Sequence, residues 1–409
     1  MKTFRFVHTA DFHLGVGLRG VPSTSKLLEV REKDFEEQLK RIAEITVKSE
    51  SDFLLICGDV FHSLRPSGKL LTLFSRFIAN LTQRGIPVIV VAGNHDQPRT
   101  LRSDAYLNAL HELKVPHFHY FNRPGSIKIK CPKSRRTVKI IGLPFVPLGL
   151  IKPPVFERFI DETLNSLVTE NSDYDYLIVA SHFHLEGAKL GREPYYLPLR
   201  EVKLPKSIFK KPEVSYVALG HIHLHQEIDK GIVYSGSIER MNFGEEGESK
   251  GIVIVNERGG ELSYEFQELP CRPLITLPKG EKKSDRNYFD ITSKVNPEYF
   301  ILNSLKSYEI PEGAIIRLLV KMEYGKSINR ARISDYLSSL KVLHWFIEPI
   351  RVSATSIQLE RKFTTLKEAF QEYVKHLLNR DPFKKLPNTV LKLIFSEGIK
   401  IIEHVEREG

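Results

Sequence analysis

The sequence predicts an α/β fold: a four-layer α/β/β/α sandwich, followed by a small α/β domain and a C-terminal helix pair. Three observations predict it. Short apolar runs recur through the first two-thirds of the chain, as strands buried on both faces require. Stretches with apolar residues at helical spacing fall between them. Polar blocks rich in Asp and His follow several of the runs, and the carboxyl ends of strands are where ligands gather in an open α/β sheet.

In order, residues 4–7 read as a strand and 29–49 as a helix, with Phe35, Leu39, Ile42 and Ile45 on one face. Residues 53–57 and 87–92 read as buried strands, and the helix over 67–82 between them carries a wide apolar stripe that includes Leu70, Phe74, Phe77 and Leu81. A further helix over 101–113 is apolar around most of its circumference, more than one buried face demands. Strands follow at 137–143, 176–180, 216–219, 232–234 and 251–255. A strand-rich middle with intervening helices implies two packed sheets flanked by helices.

The character changes near Pro270-Cys271-Arg272-Pro273. Residues 278–287 are polar and read as a loop; strands over 315–322 and 343–352 then flank a helix over 329–340. Two helices close the sequence. The first has an apolar stripe of Leu366, Phe370, Tyr373, Val374, Leu377 and Leu378; the second, over about 388–406, carries Leu391 and Val405 with Gly398 in its middle. The expected domains are the sandwich at 1–270, the small α/β domain at 271–360 and the helices at 361–409.

Composition bounds the function. A chain of 409 residues, 41% of them hydrophobic, suits two or three domains with a sizeable core. The net charge of +10, more than half of it beyond residue 270, permits a polyanionic partner without naming one. Cys57, Cys131 and Cys271 form no CxxC pair, which argues against a disulfide framework or zinc knot and fits a reducing compartment. Residues 1–10 are too short of apolar character for a signal peptide, and no run approaches the roughly 18 apolar residues of a membrane span. A cytoplasmic location, away from any membrane, is the expectation.

The chemistry lies in Asp11-Phe12-His13, Gly58-Asp59-Val60-Phe61-His62, Gly93-Asn94-His95-Asp96, Ser181-His182 and Gly220-His221-Ile222-His223. Asp11 and His13, two apart past a strand, can point to one side, and so can His221 and His223. Asp59 is the natural bridge, since a carboxylate can give one oxygen to each of two cations. Asn94 adds a carbonyl oxygen and His182 a nitrogen. These residues assign one ion to Asp11, His13, Asp59 and His223, and the other to Asp59, Asn94, His182 and His221. Mixed ligation with several imidazoles suits Mn2+, Fe2+ or Zn2+ better than Mg2+ or Ca2+. Two divalent ions are expected, Mn2+ foremost and Mg2+, Fe2+ or Zn2+ as alternatives. A lone His near a strand end is ordinarily a hydrogen-bonded core or surface residue; the ordered set carries the metal reading. Glycines just ahead of the donors let the backbone turn closely around ions.

This ordered set (DxH, GDxFH, GNHD, a strand-terminal His, GHxH) resembles the calcineurin-like metallophosphoesterases. Phosphoprotein phosphatases of that superfamily carry GDxxDRG and GNHE, where this chain has GDVFH and GNHD. With residues 11–15, Arg65-Pro66-Ser67 and 234–246, the blocks resemble the DNA-repair nucleases of the SbcD/Mre-eleven family. The motifs cover 8–246; beyond that the resemblance is of architecture only.

The resemblance implies a nuclease subunit that processes double-strand-break ends, as an exonuclease on duplex ends and an endonuclease on single strands or hairpins. Attack of a metal-bridging hydroxide on phosphorus would cleave the phosphodiester. His95 would donate a proton or hydrogen bond to the phosphate or leaving oxygen. His62 would position the DNA backbone for exonucleolytic cleavage; its alternative is to orient Asp59 through a hydrogen bond. His184 and His225, one step past donor positions, read as solvated or orienting residues. Arg19, Arg65, Arg99, Arg102, Lys189 and Arg192 lie in loops near the donors and are candidates for phosphate contacts.

The implied partners are DNA, a second copy of the chain through the helices within 67–113, and an SbcC/Rad-fifty type ATPase docked on 361–409. The small domain would cap the site and help present the duplex. A small-molecule phosphodiesterase or a phosphatase is the alternative enzyme, and a scaffold with a dead site the alternative class.

Overall fold

Two six-stranded sheets carry most of the structure. It is a computed structural model that describes residues 3–22, 24–98, 105–146, 153–170, 173–191, 202–279, 287–352, 365–378 and 387–408. The first sheet runs β12 (Glu261–Leu269), β11 (Lys250–Arg258), β1 (Arg5–Thr9), β2 (Phe53–Cys57), β3 (Val88–Val91), β4 (Phe118–Phe121). Strands β1 to β4 are parallel, and β11 and β12 return antiparallel. The second sheet runs β5 (Gly125–Lys130), β6 (Thr137–Leu143), β7 (Tyr176–Ser181), β8 (Tyr216–Leu219), β10 (Ile232–Tyr234), β9 (Gln226–Asp229). Its four inner strands are parallel and its two edges antiparallel.

Alternation along each strand decides which layer a side chain enters. Phe6, Phe53, Leu55 and Ile89 meet Ile140, Ile178, Ala218 and Val233 between the sheets. Their neighbours Val7, Leu54, Ile56 and Val88 face three helices, α1 (Ser25–Lys48), α2 (Gly68–Thr82) and α3 (Tyr106–Glu112). On the far side, Ile141, Val179 and Val217 pack on α4 (Pro153–Thr169). The result is the four-layer α/β/β/α sandwich. Because both faces of the inner strands are buried, their sequence reads as continuous apolar runs.

Local chemistry places the helix starts. Thr24 Oγ1 accepts the Leu27 N–H at 3.2 Å, so α1 begins at Ser25 rather than at the expected residue 29. Ser67 caps α2 in the same way. The α2 stripe is largely taken up by the chain's own core, where Phe74, Phe77, Ile78 and Leu81 are buried. On α3 only Leu107 is buried, with Tyr106 and the following Leu113 left 42% and 72% exposed. Residues 101–104 of the helix expected over 101–113 lie outside the described residues.

Beyond the sandwich, β15 (Ile315–Glu323) pairs with β13 (Leu274–Leu277) and β14 (Phe289–Asp290), both parallel to it, and with β16 (His344–Val352). Helices α5 (Pro297–Leu305) and α6 (Ala331–Ser339) close a separate core on this third sheet, with Ile301, Ile333, Leu318 and Val320 at its centre. This sheet belongs to the same compact unit, 1–351, as the sandwich.

A second unit, 352–409, contains α7 (Leu366–Leu378) and α8 (Asn388–Glu408). The two helices meet at Phe370 and Phe395, ring centres 6.2 Å apart, where Gly398 makes room for the Phe370 ring. The side chains of Leu366, Leu377, Leu378, Leu391 and Val405, expected in the stripes, lie outside the described residues. Among the described residues no helix is long and apolar enough to cross a membrane.

Candidate metal centre

Each predicted donor stands just past the carboxyl end of a parallel strand. Asp11 and His13 follow β1, Asp59 follows β2 and Asn94 follows β3; His182 follows β7, and His221 and His223 follow β8. The site therefore draws on both sheets where their parallel strands end together. The connecting backbone is strained at the donors themselves. Asp11, His13, Asp59 and His221 take φ values of 53°, 45°, 55° and 92°, a region few non-glycine residues occupy. Such conformations cost on the order of 1–3 kcal/mol each and persist where surrounding structure fixes them.

Here the surroundings are hydrogen bonds between the loops. Asp11 N–H donates to Gly58 O at 3.0 Å, His13 N–H to Asp59 O at 2.8 Å, and Leu14 N–H to Val60 O at 2.9 Å. The buried Asp96 carboxylate clasps the same region from β3, accepting the N–H groups of Val60 (3.0 Å), Phe61 (3.3 Å) and Gly93 (3.0 Å). At Gly58 (φ 88°) any side chain would run into the His182 imidazole, and at Gly93 into the Asp59 carboxylate.

Within this frame, acceptor atoms face one another. His182 Nδ1–H donates to Cys57 O at 2.8 Å, which turns its Nε2, the nitrogen that would ligate an ion, toward Asn94 Oδ1 (3.1 Å) and Asp59 Oδ1 (3.5 Å). His221 Nδ1 reaches the same Asn94 oxygen at 3.1 Å. His223 Nδ1–H donates to Glu245 Oε1 at 3.1 Å, which leaves its Nε2 lone pair 3.1 Å from His13 Nε2. His13 Nε2 lies 3.3 Å from Asp59 Oδ2. The two Asp59 oxygens thus face different clusters, His13 with His223 and His182 with Asn94. Converging acceptors repel unless a proton or cation lies among them, so the residues present fit two divalent ions. Ligand atoms of Asp11, His13 and His223, of Asp11, Asp59 and His182, and of His13, His62 and His95 approach within 4.8 Å in each trio.

The electrostatics follow from burial. Burial pushes the Asp11 carboxyl up. Burial acts on Asp59 the same way, yet His182 and His13 hold it well below the carboxylate range, so Asp59 carries the negative charge. Burial opposes protonation of His182, but Asp59 raises it to about 9. Burial drives His13 well below its usual value, which keeps its imidazole neutral with a lone pair to give.

A family model described as calcineurin-like phosphoesterase matches residues 4–225, a span that contains every predicted donor. The chain belongs to the calcineurin-like phosphoesterases. Members of this family typically use two divalent metal ions and are metal-dependent hydrolases. Among solved structures the chain is similar to TT1561 of Thermus thermophilus, at 15% identity and TM-score 0.37, over 65% of this chain and 99% of that one. It is also similar to a dimetal phosphatase from Danio rerio, at 11% identity and TM-score 0.37, over 65% of this chain and 96% of that one.

In this calcineurin-like phosphoesterase, His95 and His62 stand beside the donors. His95 Nδ1–H donates to His62 O at 2.7 Å, leaving Nε2 as the nitrogen available to a substrate, and its ring lies 4.7 Å from that of His13. The His62 ring stacks on His95 at 5.1 Å, and its Nδ1 lies 3.5 Å from His13 Nδ1 and 3.4 Å from Arg19 Nη2. Burial, with the Arg19 cation next, lowers His62 to about 4. Its side-chain neighbours at these distances are histidines and Arg19 rather than Asp59. Arg19, Arg65 and Lys189 are exposed, while Arg99, Arg102 and Arg192 lie outside the described residues.

Other histidines are structural. His8 is buried, bound to Tyr216 Oη and Leu219 O, and held to about 3 by burial. His225 binds Tyr234 O and stacks on Phe266 at 4.1 Å. His184 is buried with its ring 6.3 Å from that of His221. Sequence reasoning missed three groups: Asp96, Glu245 and Lys250. The buried Lys250 Nζ donates to Glu245 Oε2 at 2.8 Å and to the backbone O of His223 at 3.0 Å. The sequence hint was positional only: Asp96 lies inside the GNHD block and Glu245 inside the 234–246 segment.

Proposed function

We propose that this calcineurin-like phosphoesterase is a dinuclear-metal-dependent DNA nuclease of the SbcD/Mre-eleven type, acting on duplex ends and on single strands or hairpins. Asp11, His13, Asp59 and His223 would hold one ion, and Asp59, Asn94, His182 and His221 the other. The observation that carries the reading is the meeting of acceptor atoms around Asp59, beside the stacked pair His62 and His95. Two divalent ions held there would lower the pKa of a bound water and offset negative charge on the phosphodiester.

The chain's own residues do the rest. Asp11 fixes the His221 backbone N–H with both carboxylate oxygens, at 3.0 Å each. His95, tethered through Nδ1, presents Nε2 to the phosphate or the leaving oxygen. His62, with the exposed Arg19 beside it, would seat the DNA backbone. The nuclease reading rests on the GDVFH and GNHD blocks and on this pair. A homodimer would use the exposed Tyr106 and Leu113, and an SbcC/Rad-fifty type ATPase would dock on the second unit, where Leu393 and Ile401 are 60% and 65% exposed.

The deciding experiment is hydrolysis of an end-labelled linear duplex in Mn2+, in Mg2+ and in EDTA, beside Asp59→Asn. Stepwise shortening that requires metal and falls at least about a thousandfold in Asp59→Asn is expected. Turnover of bis-p-nitrophenyl phosphate without DNA cleavage would replace the nuclease with a small-molecule phosphodiesterase. Deleting 365–409 should spare cleavage and abolish capture of the ATPase; unchanged capture would remove that segment from the interface.

A further inference from the structure

Glu245 ties a metal donor to a turn that is itself held by a different sheet. Its Oε1 accepts the His223 Nδ1–H (3.1 Å) and the Asn242 Nδ2–H (3.2 Å); its Oε2 accepts the Met241 N–H (3.2 Å) and Lys250 Nζ (2.8 Å). Lys250 also holds the His223 backbone carbonyl. Both the ring and the backbone of His223 are thus set by residues in or beside the turn 241–246.

The third sheet holds that turn from the other side. The Glu246 carboxylate accepts the Thr276 N–H at 2.9 Å and its hydroxyl at 2.5 Å, and Thr276 lies on β13. Arg317 of β15 places its guanidinium 4.7 Å over the Phe243 ring and donates to Thr276 Oγ1 at 3.1 Å. Phe346 of β16 meets Phe243 edge-on at 5.6 Å. Leu18 and Val21, in the segment after His13, join Phe243, Leu274, Ile315 and Phe346 in one apolar cluster. Arg19 N–H donates to Met241 O at 2.8 Å, closing the link between the two segments. His182, by contrast, is anchored by the Cys57 carbonyl of β2, inside the sandwich.

We infer that the third sheet is a positioning element for one half of the metal centre, the half built on His13 and His223, acting through Glu246, Phe243 and Glu245. The inference rests on the dinuclear reading above. Its physical basis is that a partner hydrogen-bonded to a metal-binding imidazole fixes ring orientation and raises ligand basicity, and its loss costs about 10–100-fold in metal affinity. A sheet that grips the turn from outside has leverage on that hydrogen bond.

The test is Mn2+ binding by the full chain, followed by calorimetry and by the spin-coupled EPR signal, for the unaltered protein, Glu246→Ala and Thr276→Ser. Two ions are expected in the unaltered protein, with one of them weakened about tenfold in Glu246→Ala and neither changed in Thr276→Ser, which keeps the hydroxyl donor. Repeating the pair in an Asn94→Ala background, where the other half is crippled, should show the whole loss on the remaining ion. If Glu246→Ala does not fold, Thr276→Val removes the hydroxyl donor alone and is expected to weaken the same ion. Equal weakening of both ions, or of neither, would overturn the inference while leaving the metal centre standing. No Mn2+ bound by the unaltered chain would overturn the dinuclear reading and the inference with it.

Discussion

Replacing Asp96 tests whether the loops that carry Asp59 and Asn94 are clasped by one carboxylate. Its oxygens accept three buried backbone N–H groups, from Val60, Phe61 and Gly93, at 3.0–3.3 Å. A buried donor left without a partner costs about 1–3 kcal/mol, so three such donors put the cost of Asp96→Ala at roughly 3–9 kcal/mol through hydrogen bonding alone. Holding the charge has an opposing cost. Burial, then the charge of Asp59, raises the Asp96 carboxyl from 3.8 to about 6. The stability this brings is fully present below the unfolded value of 3.8 and is lost as pH rises through 6, a swing of roughly 3 kcal/mol.

Asp96→Ala should therefore be more damaging at pH 5 than at pH 7.5, by roughly 1.5 kcal/mol, because about half of the swing has already passed by pH 5. Asp96→Asn keeps the oxygen nearest Val60 and Phe61, sheds the charge and gives up the Gly93 bond together with the longer Val60 contact to the same oxygen (3.3 Å). It should cost about 1–3 kcal/mol at pH 5 and less at pH 7.5. Urea denaturation followed by circular dichroism in EDTA measures both. A destabilisation independent of pH, or an Asn variant no more stable than the Ala variant, would refute the clasp.

Two further outcomes are expected. His95→Asn should retain Mn2+ binding while kcat falls about 10²–10⁴-fold, because the proposed ligand sets leave His95 free to serve the substrate; full activity with bound metal would remove it from catalysis, and lost Mn2+ binding would make it a ligand with His13 and His62. His182, raised from 6.5 to about 9 against burial by the Asp59 charge, contributes stability fully present below pH 6.5 and lost as pH rises through 9. In EDTA the chain should lose about 3 kcal/mol over that window, and His182→Gln should flatten the profile. A flat profile for the unaltered chain would show that the proton is not held there.

Much of the frame was legible in the amino-acid order. Strands β2, β6, β8 and β10 span the residues their apolar runs predicted, 53–57, 137–143, 216–219 and 232–234. Strand β12 escaped notice because Glu261, Glu265 and Glu268 face solvent and break the run. α4 was missed behind Pro153 and Pro154, and β5 behind exposed lysines. In the candidate site, Asp11, His13, Asp59, Asn94, His182, His221 and His223 could be named from the sequence because each occupies a short polar block after an apolar run. Glu245 and Asp96 could not be given their roles, because those depend on meeting His223 and Val60 across turns that no local pattern encodes.

The sequence by itself determined the fold class, the order of the donors and the chemistry of their atoms, since alternation and residue type are local properties. The tertiary structure decided which acceptor faces which, that the two Asp59 oxygens divide between His13 and His182, and that four residues at the site hold left-handed backbone. It also decided that the small sheet grips the turn behind His223. The physical reason is that a hydrogen bond depends on distance and direction between groups 22 to 210 residues apart in the chain, which only the folded backbone sets.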